Sequence, residues 1–231
     1  MNSLILLSGG LDSAVSLGIA VDKTQVKLAL TFDYGQRAAA REIIAAKNLA
    51  EYYQLPHRVL TFPWLGEITK TALVDPLVEL PELAAADFER PDRLQETADA
   101  VWVPNRNGVF INAAACLAEA IDCELIICGF NAEEAATFPD NTAAFVVAIN
   151  QSLAFSTRGR VKVTSFVQDL TKVEIIKVGR DLGVPLKYIW SCYRGESAMC
   201  GHCESCQRLW RACIAAGYVP AELFNFRRDD R

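Results

Sequence analysis

Hydrophobic and polar positions follow two different periods in the N-terminal part of the chain. The runs at residues 4–7 and 26–32 are short and mostly apolar, as in buried strands. Each run is followed by a stretch of helical periodicity, at residues 12–21 and 38–53. This order predicts that an α/β domain opens with a β-α-β-α unit.

The same alternation returns in the second half of the chain. The pattern predicts an α/β fold on a five-stranded, mostly parallel, doubly wound sheet of the Rossmann-like type. One of the five strands is an edge strand, on which His57 is expected to be a surface residue. Ligands of such sheets bind beyond the carboxyl ends of the strands, where the strand order reverses. The later predicted elements are a helix at 107–121, a strand at 125–128, a helix at 142–155, a strand at 161–164 and a helix at 172–182.

Residues 62–104 interrupt this alternation. The segment holds five prolines, and nine acidic residues against three basic ones, without a clear period. A stretch of this length inside a compact domain is typical of a lid, a partner-contact segment or a locally disordered region, and the sequence does not choose among the three. We predict a main domain at 1–185, which includes this insertion, and a small C-terminal zinc-binding helical region at 186–231.

The composition is that of a folded, soluble protein. The 231 residues are 52% hydrophobic and 22% charged. A net charge of -5 and a pI near 5.2 argue against nucleic-acid binding, which depends on Lys and Arg. The sequence begins without the basic segment of a signal peptide, and the longest apolar stretch, 109–128, carries three acidic residues. We expect a cytoplasmic protein that contacts neither nucleic acid nor membrane.

The strongest local motif follows the first strand. Two adjacent glycines, Gly9 and Gly10, allow a tight turn with backbone N–H groups against a phosphate, and the helix beginning near Asp12 adds the positive end of its dipole. Ser8 and Ser13 add hydroxyl groups. The motif lacks the lysine of a Walker loop, and adjacent glycines do not fit the dinucleotide motif, so kinase-like transfer and nicotinamide chemistry are disfavoured.

The run Ser-Gly-Gly-Leu-Asp-Ser resembles the PP-loop of enzymes that adenylate a carboxylate or carbonyl oxygen and release pyrophosphate. Such enzymes include GMP, NAD and asparagine synthetases and tRNA thiolation enzymes. The simpler alternative is a Gly-Gly turn that joins strand and helix, with Asp12 as an ordinary helix cap. The resemblance implies ATP binding by the end of the strand and by the loop, namely by Leu7, Ser8, Gly9, Gly10, Leu11, Asp12 and Ser13.

Four of the eight cysteines form a separate motif. Cys192, Cys200, Cys203 and Cys206 follow a C-x7-C-x2-C-x2-C spacing, in which four thiolates can close a tetrahedral shell around one ion. A structural zinc ion is expected, because a closed shell leaves no position for a substrate. An iron–sulfur cluster and unpaired surface cysteines are the alternatives, and His202 is an alternative ligand.

The remaining cysteines lie in apolar surroundings. Such cysteines are expected to be small core residues without chemistry of their own. They are Cys116, Cys123, Cys128 and Cys213.

Five further segments are informative: Phe-Asp-Tyr-Gly-Gln-Arg at 32–37, Val-Pro-Asn-Arg-Asn at 103–107, Gly-Phe-Asn-Ala-Glu-Glu at 129–134, Pro-Asp at 139–140 and Trp-Ser-Cys-Tyr at 190–193. Together with the loop they resemble the QueC family of 7-cyano-7-deazaguanine synthases, over residues 4 to about 212. One departure is Asn105, where many members have glycine.

This resemblance implies a reaction and its requirements. The family converts 7-carboxy-7-deazaguanine and ammonia to the nitrile with two molecules of ATP, through an adenylated acid, an amide and an adenylated amide. It implies ATP with Mg²⁺, a structural zinc ion, small-molecule substrates and a homodimer.

The resemblance also assigns residues. Ser8, Asp12 and Ser13 act as catalytic residues with Lys172, which neutralises phosphate charge. Phe32 lies where the adenine base rests. Arg37 is a fork for a phosphate or carboxylate, and Arg106 binds an anion at a helix N-terminus.

The acid substrate needs its own residues. A guanine-like edge requires an accepting carboxylate, and Glu133, Glu134 or Asp140 is expected to provide it, although solvated loop carboxylates are the simpler interpretation. Asn107 either contacts the substrate or is an ordinary helix N-cap. Asp33 either lies near the nucleotide or caps a turn.

Three other functions stay open. A tRNA-modifying PP-loop enzyme would need a basic docking surface, which the acidic pI disfavours. A QueC-like protein conjugation factor would activate a deazapurine or a peptide terminus for attachment to a protein. A nucleotide-binding sensor would bind ATP without releasing AMP.

Overall fold

A five-stranded sheet lies at the centre of the computed structural model, which describes residues 1–227. All four strand pairs are parallel, in the order β3-β2-β1-β4-β5, which confirms the predicted α/β fold class. The strands are β1 (Asn2–Leu6), β2 (Gln25–Asp33), β3 (His57–Thr61), β4 (Leu125–Cys128) and β5 (Lys162–Ser165).

The position of β1 explains its sequence. It pairs with β2 on one side and β4 on the other, so Leu4 and Ile5 are fully buried and no polar face is needed. The chain runs outward from β1 through β2 to β3 and then returns to place β4 on the other side. The strand order therefore reverses between β1 and β4, where a ligand-binding crevice forms in open α/β sheets.

Helices cover both faces of the sheet, since each face carries its own buried apolar cluster. One cluster joins the helices that begin at Leu11, Ala39, Lys172 and Glu204 to the sheet, and the other joins the helices that begin at Arg106 and Ala143. The helices are α1 (Leu11–Lys23), α2 (Ala39–Tyr52), α3 (Pro63–Ile68), α4 (Pro91–Ala100), α5 (Arg106–Ala120), α6 (Ala132–Ala135), α7 (Ala143–Ser156), α8 (Lys172–Asp181), α9 (Glu204–Ala215) and α10 (Pro220–Leu223). Short 3-10 turns lie at Ala85–Glu89, Pro139–Asn141 and Leu186–Tyr188.

Local signals fix the start of α8, the helix that carries Lys172. Thr171 is its N-cap, and the Thr171 hydroxyl accepts a bond from the N–H of Glu174 at 3.3 Å. The Glu174 carboxylate in turn accepts a bond from the N–H of Thr171 at 2.8 Å, which completes a capping box. The helix therefore begins at Lys172, as its sequence predicts.

The insertion at 62–104 is structured. It contains α3, a 3-10 turn and α4, and it builds a small apolar core against Tyr34. This arrangement contradicts the disordered alternative. The residues of that core are Tyr34, Leu65, Leu73, Val101 and Val103.

The C-terminal region does not have a core of its own. Leu209 and Ala212 of α9, together with Phe224, belong to the same buried cluster as Ile5 of β1. Trp190 also donates its backbone N–H to the carbonyl of Gly9 at 2.9 Å, which ties the region to the loop after β1. The domain boundary at residue 185 stays a prediction. Residues on both sides of it pack in one buried cluster.

Two further predictions are tested by burial and helix length. Cys123, Cys128 and Cys213 are buried, but Cys116 is exposed, so its assignment to the core is wrong. Cys116 lies on the solvent side of α5, where an apolar sequence context does not imply contact with the sheet. Among the described residues, none of the helices has the length and apolar character that crossing a bilayer requires.

Candidate functional site

The loop after β1 has the geometry of a phosphate cradle. Gly9 has a φ of +82°, and a Cβ there would lie 2.7 Å from the Cβ of Ala45, so only glycine fits. The hydroxyl groups of Ser8 and Ser13 lie 3.1 Å apart. Within residues 1–227, no side chain caps the start of α1 at Gly10, so the first N–H groups of that helix point to the space beyond the loop.

The loop after β4 presses against this cradle. A Cβ on Gly129 would lie 2.8 Å from the backbone nitrogen of Ser13, so the close approach requires glycine here as well. Asn131 follows and is fully buried, and its side-chain oxygen accepts a bond from the N–H of Glu134 at 3.0 Å. The short helix α6 thereby holds Glu134 beside the cradle.

Lys172 connects the two loops. Its Nζ donates to the carboxylate of Asp12 and to that of Glu134, each at 2.7 Å. The Lys172 side chain is 9% exposed, which removes it from solvent competition. The structure therefore brings together a predicted loop residue, a predicted substrate residue and the predicted lysine.

Burial and these contacts shift the ionisation of all three groups. Burial raises the pKa of Asp12 to about 6, although Lys172 opposes the shift. Burial would also raise the pKa of Glu134, but Lys172, Arg208 and Arg106 outweigh it and lower that pKa. Burial works against the charged form of Lys172, but Asp12 and Glu134 raise its pKa, so the lysine stays protonated.

A cavity of about 290 Å³ opens over the cradle. It lies at the carboxyl ends of β1 and β4, at the reversal of strand order. Gly9, Arg37, Glu133 and Asp140 are not among its lining residues. The predicted site residues that line it are Leu7, Ser8, Gly10, Leu11, Asp12, Ser13, Phe32, Arg106, Asn107, Glu134 and Lys172.

Aromatic rings form one wall of the cavity. Phe32 stacks on Phe110, with ring centroids 4.0 Å apart and planes inclined by 11°. Tyr34 lies on the same side, and Arg106 donates to its hydroxyl at 3.3 Å. Burial raises the pKa of Tyr34, so the hydroxyl remains protonated. This wall provides a flat apolar surface with the half-buried cation of Arg106 beside it.

Arg37 takes a different position from the one predicted. Its guanidinium donates to the carbonyl oxygens of Asp75 and Val78, at 2.6 Å for the latter. These contacts hold the insertion rather than the cavity wall. The neighbouring residue Gln36 lines the cavity, whereas Arg37 does not.

Glu133 is also engaged outside the cavity. One oxygen accepts from the backbone N–H of Lys172 at 2.9 Å, and the other accepts from Arg211 at 2.6 Å. Asp140 places its backbone carbonyl 3.3 Å from the side-chain nitrogen of Asn107. Of the three candidate carboxylates for a guanine edge, Glu134 alone lines the cavity.

The start of α5 differs from the N-cap alternative for Asn107. The helix begins at Arg106 and its N-cap is Asn105, which has a left-handed φ of 50°. Asn107 is therefore already inside the helix, because a cap residue must precede the first helical turn. Asp33 acts as a turn cap, since its carboxylate accepts a bond from the N–H of Gly35 at 3.0 Å.

Several residues that line the cavity were not predicted from the sequence. Tyr34, Trp190 and Tyr193 stand in motifs that carried the family resemblance, but nothing in their spacing gave them a role. Glu204 and Arg208 are separated by four positions, which in sequence is the signature of an exposed helical ion pair. In the structure they are only 3% and 7% exposed and line the cavity.

The four predicted cysteine ligands converge. The sulfur atoms of Cys192, Cys200, Cys203 and Cys206 lie within 4.8 Å of one another and all four residues are buried, so the cluster can hold a metal ion. Backbone N–H groups of Arg194 and Cys200 lie 3.4 Å from the sulfur of Cys192, an arrangement that stabilises a thiolate. His202 is outside the cluster, and its Nε2 lies 3.7 Å from the carboxylate of Glu82.

Comparison with known proteins identifies the family. Residues 2–217 match the family described as Queuosine biosynthesis protein QueC. A 7-cyano-7-deazaguanine synthase from Desulforamulus reducens is 54% identical over 217 residues, covering 94% of this chain and 95% of the relative. Its counterpart from Pelotomaculum thermopropionicum is also 54% identical, covering 94% and 98%. The one from Desulforudis audaxviator is 52% identical, covering 95% and 99%. The chain therefore belongs to the QueC family of enzymes.

Proposed function

We propose that this chain is an ATP-dependent 7-cyano-7-deazaguanine synthase, which converts 7-carboxy-7-deazaguanine and ammonia to the nitrile. The main support for this proposal is the contact of Lys172 with both Asp12 and Glu134. This contact joins the phosphate cradle to the rest of one cavity. Relatives that share more than half of the sequence bear this name, and the match covers nearly their whole length.

The phosphate side of the cavity suits ATP. Backbone N–H groups at the start of α1 and the hydroxyls of Ser8 and Ser13 would hold the phosphates, and Lys172 would offset their charge. The ionised carboxylate of Asp12 would bind Mg²⁺, which prefers oxygen ligands and whose charge would assist the departure of pyrophosphate. Phe32 offers a flat surface for the adenine base, with Arg106 behind it.

The chemistry requires the carbon atom of the carboxyl group to be activated twice, first in the acid and then in the amide. A carboxylate oxygen attacks the α-phosphorus of ATP, pyrophosphate leaves, and ammonia then displaces AMP to form the amide and a proton. The amide oxygen attacks a second ATP in the same way, and loss of AMP and of the two N–H protons leaves the nitrile. Because both attacks come from an oxygen on one carbon, a single phosphate cradle can serve both stages.

The deazaguanine ring needs polar partners within the same cavity. Glu134 is the predicted carboxylate that lines it, and Asn107 lines it from α5. We assign to Glu134 the contact with the N1–H and amino edge, and to Asn107 a further contact with the substrate.

The cysteine cluster suits a structural zinc ion. A tetrahedral zinc site with Zn–S bonds of about 2.3 Å requires sulfur atoms about 3.8 Å apart. The sulfur atoms of Cys200 and Cys206 are 3.9 Å apart. Zinc would fix the start of α9 and hence the side chains that α9 presents to the cavity.

An isotope experiment tests the reaction. The protein is incubated with ATP, Mg²⁺, ammonium and 7-carboxy-7-deazaguanine labelled with ¹⁸O in the carboxylate, and products are analysed by mass spectrometry. We expect the nitrile, with each released AMP carrying one ¹⁸O atom. Asp12→Asn, which keeps the side-chain shape, should release no AMP.

Other outcomes identify other functions. AMP released only with a different acid would overturn the substrate assignment. A mass increase on a protein would indicate conjugation, and ATP binding without AMP release would indicate a sensor.

A further inference from the structure

Arg208 is a buried cation with an unused hydrogen-bonding group. It lies on α9, is 7% exposed and lines the same cavity as Ser8 and Lys172. Its Nη2 is buried and has no hydrogen-bond partner among the residues that the structure describes. A charged donor that is buried without a partner is costly, so its presence at a cavity indicates a ligand that supplies the acceptor.

Two groups hold the guanidinium in one orientation. Its Nε donates to one oxygen of Glu204, and the other oxygen of Glu204 accepts from the hydroxyl of Tyr193 at 2.8 Å. The ring of Phe88, from the insertion, lies 5.9 Å from the guanidinium carbon. Because Glu204 and Phe88 fix the plane, the free edge has a defined direction before any ligand arrives.

The other cations of the cavity are already engaged. Lys172 contacts Asp12 and Glu134, and Arg106 donates to Tyr34. Arg208 also acts on Glu134, whose pKa it helps to lower, so its charge reaches the centre of the cavity. Arg208 differs in that it enters from the C-terminal wall, beside Tyr193 and Glu204, and not from the phosphate cradle.

We propose that Arg208 receives the carboxylate of the acid substrate, so that α9 forms the acid-binding end of the cavity. This inference rests on the proposed function. A planar guanidinium matches a carboxylate, and holding one oxygen leaves the other directed to the ATP side. The amide of the second stage carries no negative charge and gains much less from this contact. Arg208 therefore distinguishes the two stages and sets the preference for an acid.

Steady-state kinetics with the two substrates separately test this role. Arg208→Gln removes the charge and keeps much of the side chain, whereas Arg208→Lys keeps the charge without the planar fork. For Arg208→Gln we expect the KM for the acid to rise roughly 10- to 100-fold, the range of a lost charge-assisted bond. The KM values for the amide and for ATP should change less than about threefold, and Arg208→Lys should fall between wild type and Arg208→Gln.

A neighbouring arginine provides the control. Arg211 lies one turn further along α9 and also contacts Phe88, at 4.7 Å, but it does not line the cavity. Arg211→Gln should keep the wild-type ratio of the two KM values. Zinc content and melting temperature of every variant are measured first, and Arg208→Lys serves the comparison if Arg208→Gln loses its metal.

The outcomes separate this proposal from the one on which it rests. Equal losses on acid and amide in a metal-replete variant would overturn it, and so would a rise confined to the KM for ATP, which would make Arg208 a phosphate ligand. Wild-type protein that makes no AMP from the acid would instead remove the proposed function.

Discussion

At the scale of single residues, Lys172 has the largest electrostatic role. Its ammonium group contacts two carboxylates that are otherwise buried side by side, Asp12 and Glu134. Without the cation, like charges would face each other in a poorly solvated site, and one of them would take up a proton. Lys172 therefore sets both the charge and the geometry of the cradle.

Replacing Lys172 tests this role. Lys172→Met should lower kcat/KM for ATP roughly 100- to 1,000-fold, the effect of losing one preorganised donor in a polar active site. AMP release is the measurement. Lys177→Met removes an exposed lysine from the same helix and should be neutral. Near-normal turnover in Lys172→Met would remove the lysine from the mechanism.

The pKa of Asp12 predicts a pH dependence of ATP binding. Burial raises this pKa to about 6 in the free protein, and Mg²⁺ requires the ionised carboxylate. Below pH 6 a proton must be displaced first, so the affinity for Mg-ATP should fall by about tenfold per pH unit, and it should level off above pH 6. Titration calorimetry measures the affinity.

The same titration has an internal control. Lys172 lowers the pKa of Asp12, so in Lys172→Met the fall should begin at a higher pH. Asp12→Asn should bind Mg-ATP weakly, and its affinity should not show this fall at low pH. If the affinity of Asp12→Asn still falls at low pH, another group causes the pH dependence.

At the scale of elements, the start of α5 depends on one unusual backbone conformation. Asn105 adopts a left-handed φ of 50° as the N-cap and thereby turns the chain so that Arg106 and Asn107 enter the cavity. Asparagine tolerates this region better than other residues with a Cβ, and glycine tolerates it best.

Substitutions at this position should follow backbone preference rather than polarity. Asn105→Gly should unfold at nearly the same urea concentration as the wild-type protein. Asn105→Val should lose about 1–2 kcal/mol of unfolding free energy, because a β-branched residue is strained at positive φ. Urea denaturation measures both. Equal stability of the two variants would contradict the requirement for a left-handed residue.

Sequence patterns located most elements because each has a local cause. β4 is found at the predicted residues 125–128, and Thr171 and Glu174 mark the start of α8 by a capping box. Asp12 and Lys172 were assigned through motif and resemblance, and the structure brings them to 2.7 Å.

Other features have no local signal. Glu204 and Arg208 have the spacing of a solvated pair, and only the tertiary packing of α9 against the crevice buries them. The guanidinium of Arg37 is held by the carbonyl groups of a distant segment, at Asp75 and Val78. Such contacts between remote parts of the chain are not encoded in the period of hydrophobic positions.

At the scale of the whole molecule, the cysteine region and the sheet form one structural unit. Buried residues of α9 and of β1 belong to one cluster, and Trp190 bonds to Gly9 in the phosphate loop. Loss of the metal should therefore act on the entire fold and on the cavity together, since Glu204 lies between two of the cysteines.

Cys203→Ser tests this coupling. The variant should lose bound zinc and its melting temperature should fall by roughly 10 °C or more, in a single transition. Zinc analysis and calorimetry are the measurements. Cys116→Ser changes an exposed cysteine outside the cluster and should leave both unchanged. A separate low-temperature transition, with ATP binding intact above it, would show that the two parts unfold independently.

The bond between Trp190 and Gly9 has a consequence for protein synthesis. The loop after β1 emerges from the ribosome well before Lys172, Trp190 and α9. A nascent chain that lacks them carries the loop without its lysine, its tryptophan tether or the wall that contains Arg208. The complete cavity can therefore form only after α9 has left the ribosome.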